Sequence, residues 1–298
     1  MRVLLNELER IASHCLWLGT HALDIGAMSM FFYTWQDRDR ILELKEHLSG
    51  VRTKTSWICP GGLRGDAPQG WLERVRAFLD YFPARIELYE GLLTNNPIWI
   101  ERTRSIGMLS AEEAIAYGMA GPSLRASGVA FDLRKSNPYS RYEEFDFDIC
   151  VGTYGDVYDR YRVRMAEFWE SLKICNQSYA KVLEMGEKAP VRTADRKIAP
   201  PPRAELDTSM EALIHHFKLF TEGYHPPVGE AIGAVEGPRG EKAYYVVSDG
   251  SNKPYRVKIK GPSFYNLQAL PQMCTGRMVA DVVAIIGSID IVLGDIDR

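Results

Sequence analysis

The sequence predicts a mainly α-helical protein with a small antiparallel β hairpin, an α+β fold class. Apolar residues recur every three or four positions from Leu4 to Ile25, which is the spacing of an amphipathic helix. Similar, shorter patterns recur up to residue 185, whereas residues 244–259 show the clearest alternation of apolar and polar side chains. With 298 residues, 46% of them hydrophobic, the chain is long enough to bury a sizeable core.

Charge and cysteine content exclude several classes of protein. The 36 basic and 39 acidic residues give a net charge of -3, which leaves no strongly basic surface of the kind that binds nucleic acid. No stretch of about 20 predominantly apolar residues is present to span a membrane. The 5 cysteines are scattered and form no CxxC pair, which favours a reducing compartment over a disulfide framework.

Start and stop signals bound the helices of the first 185 residues. We predict helices at Leu4 to Ile25, Arg38 to Leu48, Trp71 to Phe82, Ala84 to Leu93, Ser110 to Gly118 and Asp156 to Met185. Ser110 precedes acidic residues and is a typical N-cap. Pro83 is expected to separate two helices, because proline lacks the backbone N–H that a continuous helix needs.

A proline-rich segment divides the chain. Residues 186–203 contain Pro200, Pro201 and Pro202 and few large apolar residues, which predicts an extended connector. Residues 1–185 then form a helical core domain. Residues 204–298 contain a helix from Ser209 to Phe220, the β hairpin and a last helix from Met278 to Ile286, and we expect them to pack into the same domain.

The usual chemical motifs are missing from the sequence. It contains neither of the common glycine-rich phosphate-binding motifs. Glu222 and His225 have a metal-binding spacing, but the prolines that follow prevent the helix such a site needs. His14, His21 and Asp24 could share one face of the first helix, and we expect them to be polar residues on its less buried side, because a metal site needs three or four convergent ligands.

Three segments carry a more specific signal. They are residues 2–14 (RVLLNELERIASH) running into 23–27 (LDIGA), residues 123–128 (SLRASG), and residues 245–250 (YVVSDG) with 262–264 (PSF). Read together they resemble the 49 kDa (D) subunit of proton-pumping NADH:quinone oxidoreductase, respiratory complex I. Residues 209–218 (SMEALIHHFK), 223–227 (GYHPP) and 294–298 (GDIDR) are similar to the same family, so the resemblance covers essentially the whole chain.

This resemblance implies a fold and a set of partners. The family shares the helical core of the nickel-iron hydrogenase large subunit, and the absent CxxC pairs imply that the hydrogenase metal site is lost here. No cofactor is then expected on this chain alone. Quinone would bind at a site shared with a small subunit that carries the terminal [4Fe-4S] cluster, while NADH and FMN bind elsewhere in the complex. The 30 kDa (C) subunit is a further expected partner, and nucleic acid is not. The expected location is the peripheral arm, on the cytoplasmic side of a bacterial plasma membrane or the matrix side of the mitochondrial inner membrane.

The resemblance also implies site residues. Asp24 corresponds to a catalytic carboxylate that pairs with a histidine of an HP-x-x-HG segment, which family members carry upstream of the first residue of this sequence. Phe31 is expected to line the quinone cavity. Asp290, Val292 and Arg298 are expected to form its C-terminal wall.

Two questions stay open at this stage. A non-catalytic scaffold or assembly paralogue, or a hydrogenase-like redox subunit, are alternative functions. Met1 is either a true start or the first residue of part of a longer chain. Because the apolar stripe from Leu4 to Ile25 is wide, we expect its cover to come partly from the HP-x-x-HG segment, with Met1 next to that segment.

Overall fold

Helices make up most of the protein in the computed structural model, which describes residues 1–186 and 189–297. The helices are α1 (Arg2–Ile25), α2 (Met28–Ser49), α3 (Trp71–Leu93), α4 (Pro97–Thr103), α5 (Ala111–Ala116), α6 (Gly121–Ala126), α7 (Leu133–Ser136), α8 (Val157–Met185), α9 (Met210–Thr221), α10 (Pro262–Gln268), α11 (Leu270–Cys274), α12 (Val279–Ile289) and α13 (Leu293–Asp297). The strands are β1 (Ile58–Cys59), β2 (Gly62–Leu63), β3 (Gly229–Gly237), β4 (Gly240–Ser248) and β5 (Arg256–Lys260). The predicted class, mainly helical with small antiparallel β structure, is confirmed.

Helix α1 lies at the centre of the main core. Its side chains Leu4, Ile11 and Leu18 are fully buried in one cluster with residues of α2, α3 and α8, and α12 packs along another side. The apolar stripe is therefore covered by residues of this chain. Leu23 near its end stays 37% exposed, and the expectation that an HP-x-x-HG segment supplies part of the cover stays a prediction.

Two helix boundaries differ from the prediction. Helix α2 begins at Met28, ten residues before the expected start at Arg38, directly after the left-handed Gly26 that ends α1. Helix α3 continues through Pro83, where we expected a break. Phe82 and Ile86, on either side of the proline, are fully buried in the core. We infer that this packing offsets the hydrogen bond that Pro83 cannot donate.

Other elements agree with the sequence. Ser110 caps α5 through a capping box with Glu113, and Asp156 caps α8, which ends at Gly186 as predicted. Ser209 caps α9. The helix predicted at the C-terminus forms as α12. The short helices α4 and α6 were not predicted, because their seven and six residues are too few to show a period.

The predicted hairpin is part of a larger sheet. Strands β4 and β5 pair antiparallel as expected, and β3 adds to β4 in the order β3-β4-β5. Strand β3 was missed, since it contains three glycines and alternates weakly. A tight turn joins β3 to β4, with Gly237 paired to Gly240. A Cβ atom at Gly121 would lie 2.4 Å from the Gly240 Cα, so this turn sits directly on the start of α6.

The chain makes contacts across the proline-rich segment. Arg10 of α1 donates hydrogen bonds to the backbone carbonyls of Glu236 and Gly237, and Trp17 donates to the carbonyl of Gly287. The division at residues 186–203 stays a prediction. Among the described residues, no helix combines the length and the apolar character that crossing a membrane requires.

Candidate functional site

Asp24 and Phe31 lie on either side of the turn between α1 and α2, in the last turn of α1 and the first turn of α2. Asp24 is exposed in the last turn of α1. Within residues 1–186 and 189–297, its carboxylate has no hydrogen-bond or salt-bridge partner, which agrees with the polar, less buried position predicted for it. Phe31 is half-buried, with its ring centroid 4.7 Å from that of Trp35. The two helix ends that meet at this turn thus carry an exposed carboxylate and a pair of aromatic side chains.

Gly19 sets the distance between the two helices at this turn. A Cβ atom at Gly19 would lie 2.4 Å from the Thr34 Oγ1 atom and 3.4 Å from the Cα of Phe31. Only a residue without a side chain allows α1 and α2 to approach so closely. Gly19 therefore determines how closely Phe31 and Thr34 approach α1.

Asp290 and Val292 follow the end of α12. Asp290 is buried in the left-handed conformation, with φ of 56°. The Arg239 guanidinium contacts its Oδ1 at 3.2 Å and donates from Nε to its backbone carbonyl at 3.0 Å. The Oδ2 atom has no partner among the described residues. Burial raises the pKa of Asp290 to about 6, although the Arg239 and Arg164 guanidinium groups act in the opposite direction.

Two buried arginines of α8 hold this end of α12. Arg160 donates to the Ser288 hydroxyl at 2.8 Å, and Arg164 donates to the Ser288 carbonyl at 2.8 Å. Burial lowers the pKa of each guanidinium to about 10. Val292 is partly exposed, and its N–H donates to the Ser263 hydroxyl at 3.3 Å. The backbone around Asp290 is thus fixed from several sides.

The predicted site residues form two separate groups. Arg239, which holds Asp290, also donates to the Ser13 hydroxyl of α1 at 3.1 Å. Ser13 and Asp24 are about 16 Å apart along the helix axis. Asp24 and Phe31 therefore lie on either side of the α1–α2 turn, whereas Asp290 and Val292 lie at a different position along α1, near Ser13. Arg298 lies outside the described residues.

A buried charged network, which sequence reasoning missed, connects α1, α6 and α8. His14 donates from Nε2 to the Glu167 carboxylate at 2.8 Å, and Arg125 donates to the other carboxylate oxygen at 2.7 Å. Burial raises the pKa of Glu167, but Arg125 and the His14 hydrogen bond outweigh it and hold that pKa well below its usual range. Burial lowers the pKa of His14 to about 4, so this imidazole is neutral at pH 7.

The same network extends along this face of α1 toward its N-terminus. Glu7 accepts from Arg10 at 3.1 Å, from Arg134 at 3.2 Å and from the Tyr142 hydroxyl at 2.7 Å. Arg125 also donates to the Glu236 carboxylate at 2.8 Å. All of these side chains are buried, so the network is a set of internal ion pairs. An unpaired member would be strongly destabilising.

The prediction for the two histidines of α1 was wrong. His14 and His21 are fully buried, and His21 donates from Nε2 to the carbonyl of Ala284 at 3.1 Å. The spacing of three between Glu7 and Arg10, and of four between Arg10 and His14, places these side chains on one face. That pattern could have signalled a buried polar face, but the sequence alone does not show which helices cover it.

Metal-binding side chains do not converge in the described part of the chain. No group of three or more His, Cys, Asp or Glu residues there is placed to hold a metal ion. Glu222 and His225 contact each other at 3.1 Å, but both are exposed and no third ligand joins them.

The fold and site define a mainly helical protein with two separate acidic positions. Asp24 is exposed at the end of a helix, and Asp290 is buried against the guanidinium of Arg239. Residues 24–298 match the family described as respiratory-chain NADH dehydrogenase, 49 Kd subunit. The chain belongs to this family, as its sequence segments indicated.

Individual relatives match the chain over its full length, and each is a D subunit of NADH-quinone oxidoreductase. The chain is 58% identical to the D subunit numbered 2 from Roseiflexus sp. (strain RS-1), over 100% of this chain and 71% of that protein. It is 54% identical to the D subunit numbered 2 from Chloroflexus aurantiacus, covering 100% and 72%. It is 51% identical to the D subunit from Wolbachia pipientis subsp. Culex pipiens, covering 100% and 75%.

Proposed function

We propose that the chain is a core subunit of a NADH:quinone oxidoreductase and forms part of the wall of its quinone-binding cavity. Relatives that match the whole chain are named as the D subunit of that enzyme. The observation that supports the cavity assignment is Asp24, an exposed carboxylate at the end of α1 that has no partner in the described structure. The aromatic side chains of Phe31 and Trp35 lie near the start of the next helix.

The electrostatics around Asp24 favour a cationic partner. The last turn of a helix carries about half a negative charge from its free carbonyl groups, which adds to the charge of the carboxylate. An imidazolium fits this position, and the HP-x-x-HG segment of the family supplies a histidine. At a separation of about 4 Å the attraction would be roughly 4 kcal/mol at an effective dielectric constant of 20. That energy raises the histidine pKa by about three units.

The pair can deliver a proton to reduced quinone. A histidine held protonated at neutral pH donates its proton to the quinone oxygen and becomes neutral. Asp24 is then an unpaired carboxylate at the negative end of a helix, which is unfavourable in a partly desolvated cavity. The resulting drive to rearrange the pair is the first step by which quinone reduction is coupled to proton translocation.

Asp290, Val292 and Arg298 form the second part of the wall in this proposal. The Asp290 carboxylate has a pKa of about 6 and one oxygen without a partner in the described structure. It can therefore exchange a proton close to neutral pH. Val292 contributes a partly exposed apolar side chain next to it. The role of Arg298 rests on the family resemblance alone.

The proposal assigns electron transfer to partner subunits. Electrons would come from the terminal [4Fe-4S] cluster of the small neighbouring subunit, with NADH and FMN bound further along the same complex. The 30 kDa (C) subunit is the other proposed neighbour. The chain would then belong to the peripheral arm, on the cytoplasmic side of a bacterial plasma membrane or the matrix side of the mitochondrial inner membrane.

Photoaffinity labelling of the intact complex tests the cavity assignment. A quinone analogue with a photoreactive headgroup should label peptides that contain Phe31 or Val292, and excess quinone should suppress this labelling. The exposed strand β5, with Val257 near its centre, is the internal control and should stay unlabelled. Labelling of β5 alone, or labelling that quinone does not compete for, would contradict the assignment.

A further inference from the structure

Helix α9 carries an unusual apolar surface. Met210, Leu213, Ile214, Phe217 and Phe220 are between 50% and 79% exposed. Their spacing of three and four places them on one face of the helix, which is the pattern of an amphipathic helix that binds in a groove. We call these five residues the α9 stripe.

The side of α9 that contacts the rest of the chain is the less apolar one. Ala212 is fully buried, and His215 and Leu219, which lie on the same side, are half-buried. A surface helix that binds no partner usually turns its large apolar side chains toward the core of its own chain. The outward direction of the α9 stripe indicates that a partner covers it.

A basic groove continues from the end of this stripe. The groove has a volume of about 840 Å³, and its apolar lining includes Phe220, Leu206 and Pro201. Arg64, Arg192 and Arg203 also line it, and none of its lining residues is acidic. We call these three residues the groove arginines.

The groove arginines have no carboxylate partner within the described residues. Arg192 donates to the backbone carbonyl of Pro200 at 3.4 Å, and the side chains of Arg64 and Arg203 make no hydrogen bond or ion pair in that part of the chain. By contrast, Arg196 of the same connector pairs with Glu205 at 2.8 Å. The groove therefore combines apolar walls with uncompensated positive charge.

We propose that the α9 stripe and the groove arginines form one docking surface for a segment of another subunit of the same oxidoreductase. The chemistry of that segment follows from the surface: large apolar side chains flanked by Asp or Glu carboxylates. The inference rests on the proposed function, because it takes the partner from the same complex.

Area and charge favour this occupant over a second copy of the chain. The stripe exposes roughly 600 Å² of apolar surface, more than a monomer usually leaves in one patch. That is most of the approximately 800 Å² per partner that a stable interface buries. In a symmetric pair of copies the same patch meets itself, and because neither the α9 stripe nor the groove lining contains an acidic residue, the groove arginines would stay without a carboxylate partner. An acidic segment supplies this partner.

The test uses a photo-crosslinking amino acid at position 217 or 220 in the complex purified from its membrane. We expect cross-links to another subunit, at a segment that contains acidic residues. The double substitution Arg64→Glu and Arg203→Glu should reduce the cross-link yield at least tenfold. Arg203→Lys should retain it, and Arg256→Glu on strand β5, which does not line the groove, is the matched charge-reversal control.

Each other outcome overturns the inference. Cross-links to a second copy, to the same polypeptide or to no protein would do so, as would a yield that charge reversal leaves unchanged. Failure of the proposed function looks different, because no oxidoreductase subunits would then co-purify with the unmodified chain. If the complex assembles but positions 217 and 220 give no cross-links, only the proposed docking surface is contradicted.

Discussion

The Nε2 atom of His14 lies 2.8 Å from the Glu167 carboxylate, with both side chains buried between α1 and α8. Burial keeps the imidazole neutral at pH 7, while Arg125 keeps the carboxylate charged. His14 therefore acts as a hydrogen-bond donor that orients Glu167, and it does not serve as a proton source near neutral pH. This separates it from the exposed Asp24 at the C-terminal end of the same helix.

Glu167→Gln should strongly destabilise the protein. The change leaves the Arg125 guanidinium without one of its carboxylate partners in a buried site, which typically costs about 3–5 kcal/mol of the free energy of unfolding. Chemical denaturation at pH 7 measures this loss. Glu184→Gln, an exposed position on the same helix, is the control and should change the free energy by less than about 0.5 kcal/mol. Equal effects at both positions would contradict the role of the network.

Acid should destabilise the protein through His14 and His21. Burial lowers their pKa values to about 4 and about 3, below the ordinary value of 6.5. As the pH falls below about 6.5, these two imidazoles therefore bind protons in the unfolded chain but not in the folded chain. The free energy of unfolding decreases toward pH 4 as a result. Each histidine contributes a slope of about 1.4 kcal/mol per pH unit.

Asp290 changes the stability in the opposite direction as the pH falls. Its raised pKa lets the folded chain bind a proton first as the pH falls below about 6. The two histidines still outweigh this one group. Urea denaturation at pH 7, 6 and 5 measures the sum. His21→Gln should reduce the slope of stability against pH by about 1.4 kcal/mol per pH unit, the contribution of one histidine. A pH dependence that His21→Gln leaves intact would refute this assignment.

Gly19→Ala should force α1 and α2 apart at the Asp24 turn. The new methyl group would meet the Thr34 hydroxyl at 2.4 Å, and we expect a loss of about 1–3 kcal/mol in the free energy of unfolding. Gly91 of α3 is the matched control, because nothing lies within 4 Å of a Cβ atom there. Gly91→Ala should be neutral or stabilise the helix by up to about 1 kcal/mol. Thermal unfolding of the two variants should therefore shift in different directions, and parallel shifts would show that the close approach at Gly19 is unimportant.

Asp290→Asn should change the pH dependence of quinone reduction. Wild-type activity should contain a titration near pH 6, the pKa that burial gives this carboxylate. An amide cannot titrate, so the variant profile should be flat in that region, with a lower maximal rate. Steady-state rates of the purified complex between pH 5 and 8 provide the measurement. An unchanged titration near pH 6 would show that another group is responsible.

The sequence predicted α1, α8, the β4–β5 hairpin and the family. Local signals were sufficient for these elements. They are the apolar period of α1, the caps at Ser110 and Asp156, and the alternation in β4 and β5. Helix α3 was predicted as two helices because Pro83 is a strong local breaker, yet tertiary packing decided the outcome.

The charged network could not be predicted for a related reason. Its members, which include Glu7, Arg125, Glu167 and Glu236, come from α1, α6, α8 and β3 and are more than 100 positions apart at the extremes. Their burial depends on long-range packing that no window of sequence contains. Similarly, the left-handed turn at Asp290 and its contact with Arg239 follow from the β3–β4 turn reaching α12.

Replacing Asp24 by asparagine tests the central proposal most directly. The variant complex should lose most of its NADH:quinone reductase activity and retain NADH oxidation by an artificial acceptor at the flavin site, because only the quinone end of the electron path is affected. Asp148→Asn, another exposed aspartate, serves as the control and should retain both activities. Full quinone reductase activity in Asp24→Asn, or equal loss of both activities in an assembled complex, would contradict the proposed role of Asp24 in quinone reduction.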